Sequence, residues 1–147
     1  YAPRLFKMKQ GSIFWIGVCI GFLLNFTGWL GNNFVLKSLW TEVTVAVANP
    51  GWRETVWRHV FSFLPDFVYG FAMVWLITVL NKLSQNWLRN ALTAGIVISI
   101  VGGLTTYFAI ANSGFIPWEL ALASFVLVLV TKLLVALIAV KWIDRVS

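Results

Sequence analysis

The 147-residue sequence predicts an all-α membrane protein: four transmembrane helices in an up-down bundle, with a short amphipathic helix in the first outer loop. Three observations predict it. The chain is 60% hydrophobic and only 11% charged, where an ordinary soluble domain carries about 25% charged residues. The apolar residues form four long continuous runs, not the alternating ten-residue segments of a β-barrel. The basic residues flank those runs, as they do beside membrane spans. The whole chain, 1–147, therefore reads as a single four-span domain.

The first span is expected over 11–36, a charge-free run long enough to cross about 30 Å of hydrocarbon with some tilt. It follows a short basic leader with Arg4, Lys7 and Lys9. The chain opens on Tyr1, and the first run is too long for the apolar part of a cleavable signal peptide. The outer loop covers 37–64. Its first part, 40–47, alternates polar and apolar residues, which predicts extended chain. Asn49-Pro50-Gly51 is a turn or helix-start signal. From 52 to 64 the period becomes helical: Trp52, Val56, Val60 and Phe63 share one side, and Arg53, Glu54 and Arg58 lie on its flank. That pattern predicts an amphipathic helix at the headgroup level, or an extension running into the second span.

The second span is expected over 65–83, with Pro65 in its first turn and Asp66 against the positive helix end. A polar turn containing Lys82 and Arg89 leads to the third span, 91–111. After the tight loop 112–117, the fourth span covers 118–140 and ends in Lys141, Asp144 and Arg145. Counting loop charges gives the orientation. Arg4, Lys7, Lys9, Lys82, Arg89, Lys141 and Arg145 lie on one side, seven against the three of Lys37, Arg53 and Arg58. Both termini are therefore expected in the cytoplasm of a bacterial inner membrane. Trp15, Trp40, Trp87, Trp118 and Trp142 lie near the expected interfaces.

One face of the first span stands out. Gly17, Gly21, Asn25, Gly28 and Asn32 fall within an arc of roughly 80°. Small residues admit a neighbouring backbone, and a buried amide needs a protein partner, so this face is expected to meet other helices. Ala91, Gly95, Ser99, Gly102 and Thr106 repeat the same spacing in the third span, and the two faces are expected to touch. The second and fourth spans both open on proline and an acid, Pro65-Asp66 and Pro117-Trp118-Glu119. A degenerate two-helix repeat and independent origin both account for this.

Lys132 is the most informative single residue. It lies near mid-membrane, where a lysine costs about 2.5–3.5 kcal/mol, and about 13 Å along the helix from the inner surface, beyond a full snorkel. The readings that fit it are a proton relay, an anion or headgroup site, an ion pair with another subunit, and, against these, simple snorkelling toward the inner surface or local hydrogen bonding. Both Asp66 and Glu119 are expected at outer helix ends, so Asn25 and Ser99 are the best internal partners. The two acids read as charges at helix N-termini in preference to a proton-uptake pair. His59, alone on an interfacial helix, reads as a surface residue and not as a metal or pigment ligand. Asn32-Asn33 reads equally as a polar-ligand site and as the end of the first span.

The net charge of +6 belongs to the span flanks, so no nucleic-acid partner is expected. Cys19 is the lone cysteine and makes neither an internal disulfide nor a cysteine-based metal site. There is no phosphate-cradling loop, ligand cluster or nucleophile with a base. No enzymatic activity and no cofactor are therefore expected. The expected partners are other membrane subunits, a second copy of the chain, and lipids.

Gly28-Trp29-Leu30, Asp66-Phe-Val-Tyr-Gly70 and Asn90-Ala-Leu-Thr-Ala-Gly95 carry a resemblance. The layout resembles a loose group of uncharacterised bacterial four-helix integral membrane proteins of about this size. The resemblance implies a four-span fold and no activity. Two functions follow as expectations. One is a non-catalytic subunit or scaffold of a larger respiratory, photosynthetic or transport complex. The other is a small oligomeric carrier or channel with Lys132, Asn25 and Ser99 on its path.

Overall fold

The computed structural model of the chain describes the backbone of residues 10–46 and 56–146, with side chains over 11–41 and 63–146. The described residues are almost entirely helical. The first apolar run forms α1, Gln10–Leu30, and continues into a π turn, Gly31–Val35. A short α2, Lys37–Ala46, follows. Then come α3, Val56–Leu83, and α4, Trp87–Ser99. A second π turn, Ile100–Leu104, joins α4 to α5, Thr105–Asn112. The chain ends on α6, Trp118–Val146.

Four stretches are long and apolar enough to cross a membrane: Gly11–Val35, Phe63–Leu83, Trp87–Asn112 and Trp118–Val146. The shortest has 21 residues, which at 1.5 Å each is about 32 Å, the thickness of the hydrocarbon core. Large apolar side chains cover the outside as well as the inside: Phe22, Phe26, Trp29, Trp75, Val126 and Leu134 are all exposed.

Consecutive spans are neighbours. The α1 helix packs on α3, α3 on α4, and α4 on α6; α6 returns to α1 and closes the ring. The first and third spans, whose small faces were expected to touch, are instead each matched to a different partner. The α1 face takes α3, and the α4 face takes α6.

Three local expectations are corrected. Residues 37–46 form helix, not extended chain. Helical spacing brings Leu39 and Trp40 onto a loop-end cluster of Ala111, Ile116, Leu120 and Ala121, and that packing outweighs a short alternation. Pro65 lies inside α3, not in its first turn. Membrane-type helices tolerate such a proline because neighbours re-satisfy the freed backbone. The amphipathic stretch is accordingly no separate helix from Val56 onward; it runs into the second span. Residues 47–55, with the Asn49-Pro50-Gly51 turn, lie outside the described residues, as do the leader and the side chain of His59.

The interior is layered. At the end carrying the termini, Ile16, Ile20, Met73, Val74, Ile77, Ala91, Ala94, Val135, Ala139 and Ile143 form one dry cluster. At the opposite, loop end lies the smaller cluster around Leu120. Gly114, at φ 77°, turns the chain between α5 and α6 there, a conformation that favours glycine. Polar residues occupy the layer between the two clusters.

Candidate functional site

Lys132 is the middle residue of α6 and only 6% exposed. Its ammonium donates to the Ile98 carbonyl at 3.2 Å and sits over the Tyr69 ring, 4.2 Å from the centroid. The lysine is thus held by one acceptor and one cation–π contact, each supplied by another span. Gly102 makes the room: a Cβ there would stand 2.6 Å from Tyr69 Cζ and 2.8 Å from the Lys132 nitrogen. Gly102 therefore houses a side chain from α6 and a ring from α3. It also lies in the π turn, two residues after Ile100, where the backbone ladder changes to the wider register and Thr105 donates to the Ile100 carbonyl. Such turns recur at functional sites.

Asp66 is the nearest counter-charge, contrary to the expectation that no acid of this chain approaches Lys132. The reason is the length of α3. The helix starts at Val56, so Asp66 lies ten residues inside it and not at an outer end. Asn25 of α1 donates to its Oδ2 at 3.0 Å. Asp66 and Lys132 each take a different partner, Asn25 and the Ile98 carbonyl, and among the described residues no ion pair joins them. Tyr107 of α5 lies in the field of Asp66. Tyr69 follows Asp66 by three residues, so carboxylate and ring share one face of α3. Glu119, the other acid expected at an outer end, is exposed in the first turn of α6.

The remaining singled-out residues separate into packing and tethering. Gly17 and Gly21 face Phe71 and Phe67 of α3, and a Cβ on either would enter those rings. Gly28 of the same face meets nothing within 4 Å among the described residues. Asn32 accepts from the Trp40 indole at 3.1 Å and ties the end of the first span to α2. Gly95 lies against Leu133 and the Lys132 carbonyl of α6. Ser99 donates to its own helix, to the Gly95 carbonyl at 2.7 Å, and does not touch the ammonium.

Sequence reasoning missed Tyr69, Tyr107, Gly70, Gly103 and Ser124. Tyr69 carried a signal, since it lies one turn from an acid in an apolar run. Gly70 approaches the Gly21 and Gly17 backbone. Ser124 is buried in α6, with an Oγ that has no hydrogen-bond partner among the described residues.

Chemically, the layer offers one ammonium and one carboxylate, each stabilised by neutral groups. Among the described residues no three His, Cys, Asp or Glu side chains cluster as metal ligands. Comparison with protein-family models, with curated proteins and with solved structures found no match.

Proposed function

We propose that this is a bacterial inner-membrane protein with both termini cytoplasmic, and that it acts as a small oligomeric carrier or channel for protons or small ions through the Lys132–Asp66 layer. One observation carries the reading: buried Lys132 of α6 and half-buried Asp66 of α3 are each held by neutral groups, with no ion pair between them among the described residues. Ionisable groups inside spans are costly and mark ion or proton pathways. Here the Ile98 carbonyl, the Tyr69 ring and the Asn25 amide stabilise each charge without cancelling it. Of the small ions, only a proton can be held in turn by both an amine and a carboxyl group, so proton exchange is the transfer these two side chains support. The test is reconstitution in liposomes with a pH-sensitive dye or ion-selective electrodes. Wild-type chain is expected to carry flux that Lys132→Met and Asp66→Asn abolish while helicity is kept. Equal flux in all three would overturn the reading.

A second reading, the non-catalytic subunit or scaffold, draws on the outward side of α1. Phe14, Trp15, Phe22, Phe26 and Trp29 are exposed along it, beside the open space at Gly28. An unpaired Lys132 no longer motivates it, because the ammonium finds its partners within the chain. Purification in mild detergent separates the two: a reproducible co-purifying partner favours the subunit, and a homo-oligomer with flux favours the carrier.

The orientation has its own test. Cysteines at Thr44 and Asn86, in a background lacking Cys19, are probed in intact cells with an impermeant thiol reagent. Labelling at 44 and not at 86 is expected, and the reverse pattern would overturn the topology.

A further inference from the structure

The interior is not symmetric about Lys132. A Cβ on Gly95 would lie 3.3 Å from the Lys132 carbonyl oxygen, and one on Gly102 would lie 2.8 Å from the ammonium nitrogen. The two glycines are seven residues apart on the third span, about 10 Å of helix. That span runs from the terminus end to the loop end, so the lysine side chain reaches toward the loop end and away from the termini. A side chain on α6 leans this way because Cβ bonds tilt toward the helix N-terminus. We infer that the Lys132–Asp66 layer opens to water on the loop-end side alone, and that the apolar cluster at the terminus end keeps the other side shut. Within the proton-path reading, on which it rests, this opening is where the layer is loaded.

Ser124 marks the loop-end side independently. It is 1% exposed, and its Oγ has no hydrogen-bond partner among the described residues. Gly103, next to the glycine that houses the ammonium, lies against Val128 of α6. Ser124 is one turn from Val128 toward the loop end, about 6 Å beyond the level of the ammonium. Its azimuth falls between Leu127, which meets Gly31 at the end of the first span, and Val128, at roughly −60° and +40°. The hydroxyl therefore points into the bundle between α1 and α5. Buried hydroxyls are hydrogen-bonded to protein or to water, so water from the loop end is the partner this one calls for. The small apolar cluster at that end includes no described residue of α1 or α3, and Asp66 on α3 is only half-buried. The terminus side is different. Ile20, Ile77, Ala94 and Ala139, one from each span, are 0% exposed. The buried polar side chains of α4 are committed, Ser99 to the Gly95 carbonyl and Asn90 to Asn81 and the Ser84 carbonyl. An apolar constriction of that kind excludes water and stops ions.

Single cysteines placed in a Cys19→Ser background read which parts of the interior water reaches. Ser124→Cys exchanges an oxygen for a sulfur at the buried hydroxyl, so the fold is expected to survive. Val140→Cys puts a slightly smaller side chain into the apolar cluster, where Val140 is 0% exposed. Ser113→Cys and Arg145→Cys, both at exposed positions, mark the loop end and the terminus end, so the result does not depend on which end is cytoplasmic. The full chain is treated with the impermeant cation 2-(trimethylammonium)ethyl methanethiosulfonate, in intact cells and in inside-out vesicles, and thermal unfolding in detergent checks that each variant is folded. Ser124→Cys is expected to react only from the side on which Ser113→Cys reacts. Val140→Cys is expected to react at least about a hundredfold more slowly from either side, because a thiol in a packed half is reached only when that half opens. Folded Ser124→Cys that is unreactive from both sides would overturn the inference, as would its reaction from the side of Arg145→Cys. Val140→Cys reacting as fast as Ser124→Cys would overturn it too, since the terminus end would then be open. Equal flux in wild type and Lys132→Met beside loop-end labelling of Ser124→Cys would instead overturn the transport reading alone and support the sided opening.

Discussion

The two ends of the bundle are built differently. At the terminus end every span contributes small or branched residues, and the backbones come close: Gly17, Gly21 and Gly70 let α1 meet α3, while Ala91, Ala94 and Gly95 let α4 meet α6. At the loop end the buried apolar set shrinks to Ala111, Ile116, Leu120 and Ala121, no described atom lies near the absent side chain of Gly28, and the first π turn ends the first span, while the second lies at the charged layer. The charged layer sits where the first kind of packing gives way to the second. A closely packed apolar half fixes helix register, and the Lys132 ammonium and the Asp66 carboxylate are held just beyond it by the Ile98 carbonyl, the Tyr69 ring and the Asn25 amide.

The largest effect should come from breaking the tight end. A Cβ on Gly70 would stand 2.8 Å from both the Gly21 Cα and the Gly17 carbonyl oxygen, and these are backbone atoms that cannot swing away. Gly70→Leu is expected to destabilise the protein in detergent by on the order of 3 kcal/mol or more, read from thermal or denaturant unfolding. Gly102→Leu should cost less, because it meets the flexible end of Lys132 and one ring. If the two variants unfold alike, the contrast between the ends is wrong.

An intermediate effect should come from the charged layer. Lys132→Met and Asp66→Asn each leave the other group without the opposite field, so each should destabilise, and the double variant should lose less than the sum. A coupling of about 0.5–3 kcal/mol is the range for residues that share a network. Because Lys132 is buried and Asp66 half-buried, the coupling should change less with added salt than that of an exposed pair. Strictly additive losses would mean that the two charges act independently and that the layer is not one site.

How much of this was legible in the sequence follows from which forces act locally. Four long apolar helices could be read, because hydropathy accumulates over some twenty residues. The small face of the first span was also legible as a face, but not its partner, since Gly17 and Gly21 are matched by the rings of Phe71 and Phe67, which no spacing rule links to them. Asp66 was misplaced because Pro65 looks like a helix start, while residues before it extend the helix. Lys132 stood out as an intramembrane charge, yet one of its partners is a backbone carbonyl, and every residue carries one. The π turn that places Gly102 beside it depends on tertiary packing and leaves no mark in the pattern.

The smallest expected effect is the most discriminating for the outer surface of the loop end. Gly28 lies on the same side of α1 as Gly17 and Gly21, but nothing comes within 4 Å of its absent side chain. Among the described residues the nearest tethers on either side are the Asn25–Asp66 hydrogen bond and the contact of Gly31 with Leu127 of α6. For the isolated chain, Gly28→Leu should therefore change stability by no more than about 0.5 kcal/mol; replacing a helical glycine could even add a little, since glycine is a poor helix former. The same variant in native membranes asks a different question. If a second protein, or a second copy, packs its backbone against Gly28, a leucine there must overpack that contact, and co-purification or oligomer recovery should fall while detergent stability holds. If assembly and stability are both unchanged, Gly28 faces lipid, and the small face of the first span ends at Asn25. A loss of stability in the isolated chain would show instead that α1 and α3 close together at this level, and the looser packing assigned to the loop end would have to be abandoned.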